Sequence, residues 1–404
     1  MLNKLILISI STLLLINVSC KKDDENIEDN STQVEVLSGV ISSNRHLVKN
    51  TNGLSPDYFV SGILEINNNA VLTVDSGVVI KFKSGAGILI NEGAGLNAIG
   101  TVNKPIVFTG EQPTNGYWGG LYFIDSDNIN NQLNYCVIEY GGKDSYLYDE
   151  GNIVIGSNDY GMARVAINNS TIRRSLKCGI SVSKNSFLTD FSHNNITLNT
   201  EEPIILEPMS YFDLDTTNSY NGNGKDYIKI PNQYSYYTTF AIVFPSINVP
   251  YYISGNLNLG AGLDISAGVR IIMGQGSEID VNGKFGKAGY FNAVGTATDS
   301  IIITGMQPTP GYWNRIMFSS LDVKNEFKYC RVEYGGKTGN TLDENALIAM
   351  YSLSDQASIK ITNSRLQNSL SYGLFLLQGF NYNSDISTAN TYSNNISGNI
   401  FIKP

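Results

Sequence analysis

Apolar residues recur in pairs two positions apart along the first third of the chain: Leu64/Ile66, Leu72/Val74, Ile80/Phe82, Ile88/Ile90 and Leu96/Ala98. Each pair begins eight residues after the last. Alternate residues of an extended chain share one face, so every pair predicts a short strand with one buried side. Asn67-Asn68-Asn69, Ser76-Gly77, Ser84-Gly85 and Glu92-Gly93 separate them, and these are turn formers. Three such strands make a coil of about 24 residues, the repeat of a solenoid. Past residue 20 no stretch holds a 3.6-residue period with helix caps. The expected fold is all-β: a right-handed parallel β-helix, with coils stacked at about 4.8 Å.

A longer repeat lies over the short one. Gly110 to Trp118 (GEQPTNGYW) matches Gly305 to Trp313 (GMQPTPGYW), and Tyr135 to Lys143 (YCVIEYGGK) matches Tyr329 to Lys337 (YCRVEYGGK). Phe59-Val60-Ser61-Gly62 matches Tyr252-Ile253-Ser254-Gly255, and Ile167-Asn168-Asn169-Ser170 matches Ile361-Thr362-Asn363-Ser364. The offset stays nearly constant along the chain, which implies two duplicated modules, 35–225 and 226–404, in one continuous rod of roughly 15 coils. Asn168, Asn194, Asn195, Asn199, Asn363, Asn394 and Asn395 fall at or near turns, where amides can form a ladder from coil to coil.

The N-terminus reads as an export signal over residues 1–19. Lys4 precedes an apolar run, Leu5 to Ile16, too short to span a bilayer of about 30 Å. Val18-Ser19-Cys20 resembles a bacterial lipobox, although Asn17 stands where leucine is usual. That resemblance implies cleavage before Cys20 and a diacylglycerol on its thiol. Residues 20–34, with Lys21-Lys22-Asp23-Asp24-Glu25, form a charged tether too polar to fold. They are similar to the surface-export signal of lipoproteins from Bacteroidetes-type bacteria. The implied location is the outer membrane, lipid-anchored and facing the exterior.

Gly100-Thr101, Pro105 to Gly110, Gly116-Tyr117-Trp118 and Ile138 to Gly142, all repeated in the second module, resemble the pectin-lyase-like β-helix lipoproteins of these bacteria. The resemblance spans nearly all of the mature chain and implies the fold. It implies little chemistry, because one fold hosts many functions.

Composition narrows the function. The 36 acids outnumber the 27 bases, for a formal charge of −9, so nucleic acid is not an expected partner. Two histidines, His46 and His193, exclude a multi-histidine metal site, and no nucleotide, haem or flavin motif implies a cofactor. The galacturonase and pectate-lyase motifs are absent, so no catalytic residue is assigned. Asp149-Glu150 and their repeat partners Asp343-Glu344 are the best carboxylate pairs and the only metal candidates, and solvated loop charge is the preferred reading of them. Trp118 and Trp313, the only tryptophans, each follow a tyrosine, Tyr117 or Tyr312. These four are the candidate glycan contacts, two sites about 40 Å apart. Burial at a coil edge is the preferred reading of the indoles, because large aromatics usually bury their area. The function expected is non-catalytic: binding a polysaccharide or a surface protein, or scaffolding outside the cell. The alternative is a polysaccharide lyase or glycoside hydrolase acting on an acidic glycan.

Overall fold

The computed structural model describes residues 33–143, 151–157, 161–212, 214–232, 238–282, 289–337, 345–351 and 357–404. Cys20 and the carboxylates Asp149, Glu150, Asp343 and Glu344 lie outside the described residues. From Val34 onward the chain is one unit. Among the described residues there are 38 strands and no helix. Every strand pairing is parallel, in sheets of nineteen, seven, six and six strands. The unit is a right-handed parallel β-helix.

The eight-residue rhythm becomes successive sides of one coil: Val71–Val74, Val79–Phe82, Gly87–Ile90 and Gly95–Ile99. Every apolar pair read from the sequence is inward and buried, from Leu64 at 1% exposure to Ala98 at 0%. In the first copy a coil runs through a first side (as Val79–Phe82), a second (Gly87–Ile90) and a third (Gly95–Ile99). Like residues stack along the axis. On the second side Ile88, Leu121, Ile153, Ile180 and Ile204 follow one another in register. Burying each such side chain stabilises the fold by about 1.5–3 kcal/mol.

Coil length is not constant. Val60 is in register with Phe82, whereas Ile138 is in register with Ile172, across a distinctly longer stretch of chain. Insertions at the corners take up the difference. Along the second side fourteen strands stack from Glu35–Ile41 to Thr391–Ser393, close to the number expected.

Asparagines rivet the turns. Asn194 accepts from Ser170 N at 3.0 Å and donates to Ile167 O at 2.7 Å, and its own N–H donates to Asn218 Oδ1. Asn199 and Asn223 repeat the pattern one corner later, and Asn390 and Asn395 do so in the second copy. Each buried amide thus satisfies backbone groups of the neighbouring coil. Asn394 also bonds from coil to coil, its exposed Nδ2 donating to Asn368 Oδ1 at 3.3 Å, whereas Asn195 and Asn363, also expected in this ladder, are exposed.

The join holds a rotation. In the first copy the strand of Phe59 is continued on the first side by Val79–Phe82, Ile106–Gly110, Cys136–Glu139, Thr171–Arg173 and Asn195–Thr197. The equivalent strand of the second copy, Tyr251–Ile253, stacks on Ile228–Ile230 and Ile204–Leu206, which belong to the second side. Arg270–Met273, Ile301–Gly305, Cys330–Glu333 and Arg365–Gln367 continue that same column. The second copy is therefore wound one side further round than the first.

Candidate functional site

Both indoles are fully buried, Trp118 and Trp313 at 0% exposure. Trp118 stacks on Phe82 with ring centroids 3.9 Å apart, and its Nε1–H donates to Glu139 O at 2.8 Å. Trp313 donates to Glu333 O at 2.9 Å. An indole with no exposed face cannot stack on a sugar, so both tryptophans follow the preferred reading, burial, and drop out as candidate glycan contacts. They fasten the corner loop to the next coil. Tyr117 N donates to Tyr140 O and Tyr312 N to Tyr334 O, both at 3.0 Å. The Glu-Tyr-Gly-Gly segment is the seat for this loop: a Cβ on Gly335 would lie 2.5 Å from Trp313 Cε2. The shared motifs are thus structural parts.

Tyr117 and Tyr312 remain half-buried beside the indoles, in different company. Tyr117 Oη donates to Glu111 at 3.2 Å, and Lys83 pairs with the same carboxylate at 2.6 Å while lying 4.3 Å above the Phe59 ring. The hydrogen bond from Lys83 holds the Glu111 carboxyl below its ordinary range. Loss of water, then the Glu111 carboxylate, raises the Tyr117 phenol. In the second copy Tyr252, Gly274 and Met306 replace Phe59, Lys83 and Glu111, so Tyr312 has an aromatic and apolar setting. The two loops are not eight coils apart on one line. The strand after the first, Leu121–Ile124, lies seven coils from the strand before the second, Ile301–Gly305, about 34 Å. The rotation also sets them at different corners, so a straight polymer cannot use both.

The long sheet's outer surface in the second copy carries the chemistry that sequence reasoning missed. Ile271, Ile303, Val332 and Leu366 point into the core, so their neighbours point outward. One outward column is Arg270, Ile302, Arg331, Arg365 and Thr391, in register. The equivalent column of the first copy is Val79, Val107, Val137 and Thr171. Three of four β-branched positions have thus become arginine. Arg331 and Arg365 are on adjacent strands, about 5 Å apart, and Arg270 is two coils from Arg331, about 10 Å. Arg270 and Arg365 are exposed and form no ion pair with another described residue. Arg331 Nε lies 3.4 Å from Glu333 Oε1. Like charges stacked across strands cost stability, which a purely structural ladder would have no reason to bear.

The same surface begins with aromatic rings. Tyr227 and Tyr252 are half-buried, with centroids 4.7 Å apart. Beside them the buried Glu202 carboxylate holds Lys225 Nζ at 3.2 Å and Lys229 Nζ at 3.6 Å, and accepts from Tyr227 Oη at 3.4 Å. Burial, reinforced by Glu202, pushes the Tyr227 phenol up, so it stays a neutral donor. Burial opposes the charge on Lys225, but Glu202 and Glu201 outweigh it and raise its pKa. Among the described residues no three histidine, cysteine or carboxylate side chains are grouped to hold a metal.

Cys136, Cys178 and Cys330 are buried and form no disulfide. Burial pushes Cys330 up to about 12 and Cys136 higher still. A disulfide-exchange reagent at mildly alkaline pH should leave all three untouched in the native chain and titrate all three in concentrated guanidinium chloride. Fast reaction of the folded protein would contradict this burial.

Residues 41–154 match the family model described as pectate-lyase like beta helix domain. Neither the curated proteins nor the solved structures contain a match to the chain.

Proposed function

We propose that the β-helix binds an acidic polysaccharide along the outer surface of its longest sheet, without cleaving it. The supporting observation is the arginine column at 270, 331 and 365, standing where the first copy has valine, valine and threonine. Guanidinium groups fork onto carboxylate or sulfate, and their spacing runs along the solenoid axis, across the strands. An extended polymer laid on that axis meets the tyrosines 227 and 252 first and the arginines after. The rings offer apolar faces and the arginines neutralise acid groups. A lipid on Cys20 would hold the protein to the outer membrane, with the tether presenting this surface to the exterior.

Affinity electrophoresis of the soluble chain beginning at Ser31, in gels carrying pectate, alginate or chondroitin sulfate, tests this. A chain with an excess of acids, as this one from Ser31 onward has, should be repelled by these polymers unless a local basic surface captures it. Retardation without clearing, relieved by added salt, is the expected result. Clearing around the band would make the protein an enzyme, and free migration in every gel would defeat the reading.

A further inference from the structure

The third side of the first copy carries a groove of about 500 Å³. Asn134, Asn168, Asn169, Asp190, Ser192 and Asp215 line it. Asn134, Asn168 and Ser192 stack in register along its floor. Their amides differ from those of the turn ladder. Asn168 Oδ1 accepts from Ser192 N at 3.0 Å and from Ser192 Oγ at 2.9 Å, and Asn134 Oδ1 accepts from Asn169 Nδ2 at 3.0 Å. A backbone N–H can only donate, so the orientation of Asn168 is fixed. In the ladder, Asn194 and Asn218 direct their amide nitrogens to carbonyls of the preceding coil. Asn134 Nδ2 and Asn168 Nδ2 have no such partner among the described residues.

Acceptors face these donors. Ala166 pairs with Thr189 and Ile167 with Phe191, so Asp190 is an extra residue that the strand pushes outward, with φ at 43°. Its carboxylate is exposed and bonds to no described residue. Asp215 Oδ1 takes the N–H of Thr217, and the Thr217 side chain and then its backbone, with the nearby His193, hold the Asp215 carboxyl below its ordinary range. No cationic side chain lines the groove.

We infer that this groove is a second carbohydrate site, which takes the adjacent hydroxyls of a neutral sugar. Hydroxyls both donate and accept, so such a ligand uses amide N–H groups and carboxylates together. A metal ion would find only two carboxylates here, Asp190 and Asp215, and among the described residues no three histidine, cysteine or carboxylate side chains are grouped to hold one. An acidic sugar would meet two like charges. The site lies on another side from the arginine column and stands independently of it.

Gels carrying β-glucan, mannan or xylan provide the test, run with the native chain beginning at Ser31, with Asp190→Asn and with Asn134→Ala. Asparagine tolerates the left-handed conformation, so Asp190→Asn removes charge without strain. The native chain should be retarded by at least one neutral polymer, and each variant should lose about tenfold or more of that affinity while melting as the native chain does. Replacing the arginines should leave neutral retention unchanged. Free migration of the native chain, or retention undiminished in both variants, would overturn the inference. So would calcium chloride raising the native melting temperature but not that of Asp190→Asn, without retention by any neutral polymer, since that outcome marks a cation site.

Discussion

Replacing Trp118 by alanine should lower unfolding free energy by about 3–5 kcal/mol, the cost of emptying a large aromatic from a close-packed core. Three losses combine: the stack on Phe82, the hydrogen bond to Glu139 O, and the seat that Gly141 leaves for the ring. Trp313→Ala should be similarly costly, although Met273 stands there in place of Phe82. Tyr117→Ala should cost clearly less, because that ring keeps contact with water. Denaturant titration followed by far-ultraviolet circular dichroism separates these cases. A stability near native for Trp118→Ala would mean that the indole is not a structural rivet.

The second large effect concerns the arginine column. The triple variant Arg270→Val, Arg331→Val, Arg365→Thr rewrites the second copy with the residues of the first. Valine and threonine suit strands, and the change removes like charges from adjacent strands, so the fold should be as stable or more so. Retention on acidic polymer should fall by at least tenfold, about 1.4 kcal/mol. Single replacements should each give a smaller loss, largest for Arg270 or Arg365, because Arg331 is already engaged by Glu333. Tyr252→Ala should weaken binding with little change in its salt dependence, since a ring contributes contact rather than charge. Undiminished retention by the triple variant would remove the column from the binding surface.

The fold was legible because its cause is local. Alternation at Leu64/Ile66 through Leu96/Ala98 records one inward face per strand, and glycine or asparagine turns mark each corner. The coil length was legible only where no insertion intervenes, since the step from Ile138 to Ile172 is much longer than the step from Val60 to Phe82. That irregularity hid the arginine column. The spacing from Arg270 to Arg331 differs from that between Arg331 and Arg365 and neither matches a period, so register alone aligns them. Burial of the tryptophans was the preferred reading, but its cause was not legible. Gly-Tyr-Trp reads only as an aromatic corner until the glycine pair of the next coil is seen beneath the ring. Tyr227 gave no signal because it repeats no motif, Tyr252 showed only as the counterpart of Phe59, and the two meet only by stacking.

The rotation at the join bears on how such a chain can lengthen. Phe59 and Tyr252, equivalent in the repeat, are separated by seven coils and one side, not by a whole number of turns. Tandem copying at this length therefore works as an indexing screw. A third copy would show its signature corner on the remaining side, and only a fourth would come back into line with the first. Copies of one ancestral surface never compete for the same stretch of polymer. Each is free to acquire its own ligand, as arginine in one copy and valine in the other already record.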